Sequence, residues 1–410
     1  MLAQECAKEE KMKDREDSGE MDKPPSTKPP SNGRHAAPWR VAILANLKSD
    51  VVFGAEAPPD AGAEYDRHDT VEAIAQALEA DGHWVNLLPA DHTLPDALRR
   101  LRPHICFNIA EGITGDAREA QVPALCELLG IPYTASRVLA NSISLDKTLT
   151  KRIWRDSGLP TARFQEFDCA DDPLDPELRF PLFAKPAREG TGMGIDANAL
   201  LMNEADLRAR VAWVLNTYRE PALVEEFLPG REFTVGYVGN RGLPLRRRRP
   251  WLYDAQGYHF FPVLEIEASR SVTPGVYSHD AKLLDPGEAG APQYLCPAAI
   301  PDSLRDRLYD LTRRAAEAIG ACDVSRIDFR LGTDGEPYLL EINTLPGLNP
   351  SVSDLCMVAA AEGLSYQVLI TEILYLAAER FRLRFEPGSL TRPRTRAKAR
   401  VLVAATPGER

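Results

Sequence analysis

The sequence has few cysteines and no long apolar runs. Its seven cysteines are odd in number and form no Cys-x-x-Cys pair, which argues against a disulfide framework and for reduced thiols. The charged N-terminus lacks the apolar core of a signal peptide, and no run approaches the roughly 20 apolar residues of a membrane span. These absences predict a cytoplasmic protein with no membrane partner.

The sequence also has fewer basic residues than acidic ones. The chain has 49 Lys and Arg against 60 Asp and Glu, a formal net charge of -11, so nucleic acid is not expected as its main partner. With 44% hydrophobic and 27% charged residues, the composition is that of a globular protein, and 410 residues suffice for two or three domains.

Both ends of the chain lack the apolar residues that a core needs. Residues 1–37 combine many charges and prolines with almost no large apolar groups, which predicts disorder. Residues 387–410 form a basic tail that we also expect to be flexible. Between these ends we expect three parts, at residues 38–145, 146–230 and 231–386.

Strands and helices alternate in the first part. The expected strands are "RVAILAN", "HWVNLLP" and "HICFNIAEG", and the expected helices are "DTVEAIAQALEADG", "LPDALRRLR" and "AREAQVPALCELLG". This alternation predicts a doubly wound α/β domain. In the second part, "SLDKTLTKRIWRDSG" predicts a helix, and "FPLFAKPAREGTGMGI" predicts a strand, a glycine loop and a second strand. The third part has the pattern of a sheet followed by helices.

Four polar residues interrupt an apolar hairpin in "RIDFRLGTDGEPYLLEIN". If the Asp-Gly dipeptide forms a two-residue turn, Asp328 faces Glu341. Arg326 then faces Asn343, and all four side chains share one face because strand side chains repeat every second residue. A three-residue turn would break this arrangement.

Two interpretations of this polar face are open. A solvated face is the simpler one. Two facing carboxylates, however, repel each other unless a cation lies between them. Asp328, Glu341 and Asn343 offer only oxygen ligands, which suit Mg²⁺, with Mn²⁺ as an alternative, and Mg²⁺ held by few protein ligands usually completes its shell with water and nucleotide phosphates.

The segment "KPAREGTGMG" is a candidate phosphate site. Gly190, Gly192 and Gly194 alternate behind Lys185. Glycine lets backbone amides approach a phosphate closely, and lysine adds a compact positive charge. A glycine-rich surface hairpin would explain the motif equally well if it stood alone. Together with the polar hairpin face, it indicates a nucleotide site.

These motifs resemble the D-alanine–D-alanine ligase family of the ATP-grasp superfamily. "YLLEINTLPGLNP" is close to the family's signature, and "GIPYTAS", "LDKTLTKRIW", "FAKPAREGTGMG", "LVEEFLPGREFTVG" and "YSHDAKLL…YLCPA" appear in the family's order. The resemblance runs from about Arg40 to Phe385. It implies an ATP-grasp architecture, in which an N-terminal doubly wound α/β domain precedes central and C-terminal α+β subdomains that clasp ATP. It also suggests a homodimer.

The resemblance implies a role for each matching residue. Lys282 would meet the terminal phosphate of ATP, and Asp328, Glu341 and Asn343 would ligate two Mg²⁺ ions. The other ATP-binding residues would be two phosphate lysines, the glycine loop, an adenine hinge and a ribose acceptor: Lys147, Lys185, Gly190, Gly192, Gly194, Glu225, Glu226, Phe227, Leu228 and Glu232.

The implied reaction joins a small carboxylate to a small amine, both of them amino acids in the family. Because a carboxylate is a poor electrophile, ATP first phosphorylates it to an acyl phosphate. The amine then attacks, and Arg326 and the backbone N–H of Gly347 would stabilise the developing oxyanion. Thr191 keeps the hydroxyl of the family's Ser–Tyr–Glu hydrogen-bond set. Ser353 lies near where the family binds the carboxylate of the second substrate.

The chain departs from the family where the acyl donor binds. The family's first loop carries a glutamate for the donor's ammonium, but this chain has "NLKSDVVFGAEAPPDAGAEYDRHD", in which Glu64, Asp66 and Asp69 are candidate replacements or plain helix caps. The family's next loop carries a histidine, which is absent from the corresponding segment of this chain, "AEGITGDAREA". Leu283 replaces the tyrosine of a Ser–Tyr–Glu hydrogen-bond set, and it would suit a longer amino acid or an acid without an α-amine.

Three functions are therefore weighed. The first is an ATP-dependent ligase with an altered acyl donor, the second an ordinary D-alanine–D-alanine ligase of cell-wall synthesis, and the third a nucleotide-binding regulator without catalysis. The presence of metal ligands together with an oxyanion donor disfavours the third.

The run from Arg246 to Arg249 lies in an apparent insertion, and it is either a solvated hairpin edge or an anion-binding lid.

Overall fold

The computed structural model describes residues 38–383, except for 55, 243–248, 274, 283 and 285–287. The expected disordered segment at 1–37 and the expected basic tail at 387–410 therefore lie outside the described residues. The same holds for Leu283 and for the first three arginines of the insertion.

The described chain alternates between strands and helices. The strands are β1 Arg40–Ala45, β2 Trp84–Pro89, β3 Ile105–Asn108, β4 Phe164–Phe167, β5 Leu182–Pro186, β6 Leu200–Leu201, β7 Ala222–Glu226, β8 Glu232–Gly239, β9 Tyr258–Phe260, β10 Leu264–Glu267, β11 Gln293–Leu295, β12 Asp323–Leu331 and β13 Pro337–Asn343. The α-helices are α1 His68–Ala80, α2 Leu94–Leu101, α3 Gln121–Leu129, α4 Val138–Leu145, α5 Lys147–Asp156, α6 Glu204–Tyr218, α7 His279–Lys282, α8 Asp302–Ile319, α9 Asp354–Ala361 and α10 Tyr366–Arg380.

The strands form three sheets. The first is parallel, in the order β2–β1–β3. The second is antiparallel, in the order β4–β7–β5–β6. The third has the order β11–β10–β8–β12–β13, with β9 also paired to β8. Each sheet draws all of its strands from one of the three expected parts of the chain, whose boundaries remain a prediction.

The parallel sheet is covered on both faces, as a doubly wound domain requires. Val41 and Ile43 lie in one buried cluster with residues of α1 and α10. Ala42 and Leu44, which point to the other face, lie in a second cluster with residues of α2 and α3. Helix α10 comes from the C-terminal part of the chain, so the last helix of the fold completes the core of the first domain.

The other two sheets are each packed against their own helices. Helix α6 covers the four-stranded sheet through Leu207, Val211 and Val214. Helices α5 and α8 cover the larger sheet, and the fully buried Trp154 donates a hydrogen bond from its indole nitrogen to the carbonyl of Ala315, at 3.2 Å. Each of these two sheets therefore has a helical layer against one of its faces.

Two expected elements differ from those observed. The expected helix at "SLDKTLTKRIWRDSG" is two helices, because Asp146 ends α4 and caps α5 by accepting a hydrogen bond from the Leu149 N–H at 2.8 Å. The expected strand directly after the glycine loop is also wrong. Turns follow the loop, and the next strand, β6, has two residues and begins at Leu200.

No single helix in the described part of the chain is long and apolar enough to cross a membrane. The consecutive helices α9 and α10 reach that length and composition only as a pair, and they meet at an angle of 112°.

Of the four arginines in the insertion, the structure describes Arg249, and this residue is neither a solvated edge nor an anion-binding lid. Its guanidinium forms an ion pair with Glu372 on α10, whose side chain is 1% exposed. The hydroxyl of Tyr253 donates to the same carboxylate at 2.5 Å. Arg249 therefore anchors the insertion to the core.

Replacing Arg249 with Ala is expected to lower the free energy of unfolding by about 3 kcal/mol, because it leaves a buried carboxylate without its cation. Urea denaturation followed by circular dichroism would measure this change. Arg241→Ala, at an exposed position before the insertion, is the matched control and should change stability by less than about 0.5 kcal/mol. Equal stabilities of the two variants would contradict the anchoring role.

Candidate active site

The hairpin of β12 and β13 places the predicted polar residues on one face. Arg326 pairs with Asn343, and Asp328 pairs with Glu341, as expected from the sequence. Beyond Asp328 the register shifts, so that Phe329 pairs with Leu339 and the intervening Leu340 forms a β-bulge.

The expected two-residue turn is wrong. The Gly332 N–H donates to the carbonyl of Glu336 at 2.9 Å, which closes a three-residue turn whose last residue, Gly335, has a φ of +79°. A three-residue turn alone would have moved the carboxylates out of register. The bulge at Leu340 adds one residue to β13 and restores the predicted pairing.

Protein cations neutralise both carboxylates of this face. Arg326 donates to Asp328 from Nε and from a terminal nitrogen, at 3.1 and 3.0 Å. The Nζ of Lys147 lies 3.6 Å from Glu341. Burial would raise the pKa of Glu341, but Lys147, Lys185 and other nearby cations together lower it to about 2. The carboxylate is therefore ionised and able to bind a metal ion.

The donor set of this face fits a hard metal ion that arrives with a nucleotide. Within the described ranges, no group of three or more His, Cys, Asp or Glu side chains is placed to hold a metal ion. The side-chain nitrogen of Asn343 donates to Asp328 at 3.4 Å, and the amide oxygen of the same side chain completes a set of two carboxylates and one amide oxygen. A set this small leaves most of the coordination of Mg²⁺ to phosphate and water.

A cavity of about 790 Å³ lies between the four-stranded sheet and the larger sheet. Its apolar walls include Phe183, Val276 and Leu340, the bulged residue. The guanidinium of Arg330 lies over the ring of Phe227, 4.9 Å from its centre. The cavity brings together most of the predicted ATP-binding residues: Lys147, Lys185, Gly192, Glu225, Glu226, Phe227, Leu228, Glu232, Lys282, Asp328 and Glu341.

Glu225 lies at this cavity, with its carboxylate held between two lysines. The Nζ atoms of Lys151 and Lys185 lie 2.8 and 2.9 Å from its two oxygens. Burial raises the pKa of Glu225, but the two lysines outweigh it and lower the pKa to about 2. Sequence reasoning missed Lys151, although its spacing of four residues from Lys147 places both on one face of α5.

In the glycine loop, residues 190–194, the Met193 N–H donates to the carbonyl of Gly190 at 2.9 Å and closes a turn around Thr191 and Gly192. Thr191 and Gly192 are consecutive residues with positive φ, at +50° and +73°. Successive N–H groups in such a conformation form an anion-binding nest, and a non-glycine residue held there is strained in a way that marks functional sites. A side chain at Gly192 would also crowd the backbone of His279.

A second cavity, of about 1860 Å³, adjoins the first. Lys147, Tyr277, Lys282 and Glu341 line both cavities. The second cavity also contains the remaining predicted residues, except Gly194: Gly190, Thr191, Arg326, Asn343, Gly347 and Ser353.

The predicted oxyanion and carboxylate groups are adjacent in this second cavity. A Cβ atom at Gly347 would lie 2.8 Å from the hydroxyl oxygen of Ser353, so a side chain there would crowd this hydroxyl. The Ser353 hydroxyl accepts a hydrogen bond from the Asn349 N–H at 2.9 Å. Arg326 forms a second ion pair with Asp354, at 3.1 Å, which fixes its guanidinium at the cavity wall.

The opposite wall of the second cavity is acidic. Glu64, Asp66, Glu111 and Glu119 line it. Burial, with Asp69 as a smaller cause, raises the pKa of Asp66 to about 7. Burial and the Glu64 carboxylate raise the pKa of Glu119 to about 8.

Only part of this acidic wall was predicted. Sequence reasoning named Glu64 and Asp66. Asp69, the third candidate, lies in the first turn of α1, where its carboxylate accepts from the Thr70 N–H at 3.0 Å, and it neither lines the cavity nor caps the helix. Glu111 and Glu119 were missed. The only sequence feature that could have indicated these two residues is the acidic character of the segment "AEGITGDAREA".

Known proteins resemble the chain over most of its length. A family model described as the D-ala D-ala ligase C-terminus matches residues 153–375. The uncharacterized protein y4sG of Sinorhizobium fredii is 33% identical over 318 residues, which cover 76% of this chain and 88% of that protein. The D-alanine–D-alanine ligase of Aquifex aeolicus is 31% identical over 306 residues, which cover 74% of this chain and 93% of that ligase.

A solved structure shares the fold. The crystal structure of D-alanine–D-alanine ligase from Bacillus anthracis complexed with ATP superimposes with a TM-score of 0.62 at 18% identity, over 84% of this chain and 99% of that one. This likeness confirms the expected ATP-grasp architecture. The family model, the relatives and the fold agree, and the chain belongs to the D-alanine–D-alanine ligase family, the ATP-dependent ligases that form carbon–nitrogen bonds.

Proposed function

We propose that this protein is an ATP- and Mg²⁺-dependent carboxylate–amine ligase whose preferred acyl donor is not D-alanine. The observation that carries the proposal is the junction of the two cavities, where Lys147, Lys282 and Glu341 line both. A nucleotide in the first cavity and a carboxylate in the second would meet at this shared wall. Such proximity is what phosphoryl transfer requires.

In the proposed mechanism, a carboxylate oxygen of the donor attacks the γ-phosphorus of ATP, and ADP leaves. Lys185 and Lys282 compensate the phosphate charge during this step. The amine then attacks the carbonyl carbon of the acyl phosphate, and inorganic phosphate leaves. Arg326 and the N–H of Gly347 donate hydrogen bonds to the oxyanion that forms.

Two Mg²⁺ ions, or Mn²⁺ in their place, would be held by Asp328, Glu341 and Asn343. When bound with the nucleotide they would neutralise the triphosphate. Arg326 pairs with Asp328 and Lys147 with Glu341, so both cations lie beside the proposed site of phosphoryl transfer.

The acidic wall of the second cavity favours a donor that carries an ammonium group. Asp66, Glu111 and Glu119 have no hydrogen bond or ion pair from their side chains to any other described residue. An ammonium group would relieve the repulsion between them, whereas an acid without an amine would not. The acidic wall therefore supports an amino acid as the donor. A donor larger than D-alanine is inferred from the sequence, in which Leu283 replaces the family's tyrosine, and we further propose that the enzyme acts in the cytoplasm as a homodimer.

A substrate panel tests this function. Phosphate release with ATP and Mg²⁺ would be followed across D- and L-amino acids, including basic ones, and matched acids that lack the amine, with products identified by mass. At least one bulkier amino acid should exceed D-alanine in kcat/KM by about tenfold or more. Robust D-alanyl-D-alanine synthesis with no better donor would identify an ordinary D-alanine–D-alanine ligase. Failure of every donor to release phosphate would favour a non-catalytic regulator.

A further inference from the structure

Two carboxylates from the N-terminal domain bind the two ends of the glycine loop. They belong to residues 60–64, a segment that we call the strap. The Gly190 N–H donates to Glu64 at 2.5 Å, and the Gly194 N–H donates to Asp60 at 2.7 Å. The strap therefore connects a loop of the ATP site to the first domain by hydrogen bonds to ionised groups, which are stronger than neutral ones.

Each carboxylate of the strap is itself held by a buried partner. The guanidinium of Arg118 donates to Glu64 at 2.7 Å and to Glu189 at 2.9 Å, so it connects the strap to the residue that precedes the loop. The side chains of Arg118 and Glu64 are 9% and 8% exposed. The hydroxyl of Tyr218 donates to both oxygens of Asp60, at 2.9 and 2.8 Å.

The strap leaves the centre of the loop available to a phosphate. Within the described residues, the N–H groups of Thr191 and Gly192 donate to no acceptor, whereas the Met193 N–H donates to the carbonyl of Gly190 at 2.9 Å. The available amides are those of the positive-φ pair that forms the nest. The strap thus fixes the loop without occupying its anion-binding groups.

We propose that Asp60, Glu64 and Arg118 are positioning residues that hold the glycine loop closed over the phosphates of ATP. The inference rests on ATP as the nucleotide but not on the identity of the donor, so it can fail or succeed independently of the donor proposal.

Binding of ATP with Mg²⁺ to the full-length protein tests this role. Calorimetry should show the dissociation constant raised about tenfold in D60N and in E64Q, and by more in the double variant, because each removes one charge-assisted hydrogen bond from the loop. E56Q is the matched control. Glu56 pairs with the exposed Arg219 near the strap and does not contact the loop, so its affinity should change less than twofold.

Limited proteolysis separates positioning from a loss of stability. Trypsin cleavage after Arg188, beside the loop, should be suppressed by ATP in the wild type and in E56Q but not in the double variant. R118K should recover part of the affinity lost in R118M, because it retains the charge between Glu64 and Glu189. If the double variant does not fold, E189Q removes the Arg118 contact from the loop side and should weaken binding similarly. The proposal would be overturned if the folded variants bound ATP as tightly as the wild type and if ATP protected them from trypsin to the same extent.

Discussion

Asp328→Asn and Glu341→Gln should each lower Mg²⁺-dependent ADP formation by about a thousandfold while leaving the fold intact, because metal coordination contributes several kcal/mol to the stabilisation of transferring phosphate charge. The two residues pair directly across β12 and β13 and line the first cavity, so each variant removes one of the two carboxylates proposed as metal ligands. ADP release measured over a range of Mg²⁺ concentrations would test this expectation, and circular dichroism would report the fold.

Asp334→Asn is the matched control for this experiment. Asp334 lies in the exposed turn of the same hairpin and accepts a hydrogen bond from the Tyr338 hydroxyl at 2.9 Å, far along the strands from the carboxylate pair. The same chemical change there should leave ADP formation within about twofold of the wild type. Full activity in both Asp328→Asn and Glu341→Gln would refute the assignment of this face as the metal site.

Glu225→Gln should have the largest effect on stability, lowering the free energy of unfolding by about 3 to 5 kcal/mol. The substitution leaves Lys151 and Lys185 buried without a counter-charge, and Lys151 has a side-chain exposure of 0%. Because Lys185 would lose its orientation toward the cavity, the affinity for ATP should fall as well. Chemical denaturation and calorimetry would measure the two effects, with Glu265→Gln, whose partner Arg231 is 42% exposed, as the milder control.

The ion pairs of Glu225 with Lys151 and Lys185, which we call the Lys151–Glu225–Lys185 bridge, also predict how the stability of the protein depends on pH. The pKa of Glu225 is about 2 in the folded protein, below its usual value near 4.5, so the ionised carboxylate contributes stability that is fully present above about pH 5. This contribution, about 3 kcal/mol, is lost as the pH falls toward 2. The difference in stability between the wild type and Glu225→Gln should therefore narrow with falling pH. A difference that stays constant between pH 7 and pH 3 would contradict the bridge.

Prediction from sequence was most accurate for features that the local geometry of a strand determines. The pairing of Asp328 with Glu341 followed from the period of a strand and was confirmed, but the turn behind it was wrong. An Asp-Gly dipeptide is compatible with turns of two or three residues, and the choice between them depends on the bulge at Leu340. Because of that bulge, Leu340 lines the first cavity and Leu339 lies in the hydrophobic core. Tertiary packing, which the local sequence does not encode, determines this placement of the two side chains.

By itself, the sequence determined the family and the ATP-grasp architecture, because these depend on motifs that occur in the family's order, and it named many of the residues that line the first cavity. Only the tertiary structure showed the strap, the Lys151–Glu225–Lys185 bridge, and the place of Glu111 and Glu119 in the acidic wall. Arg118 lies 54 residues from Glu64 and 71 from Glu189, and no local pattern distinguishes it from a surface arginine. Contacts between charged groups so far apart in sequence arise only when the domains pack, since burial is what makes such pairing necessary.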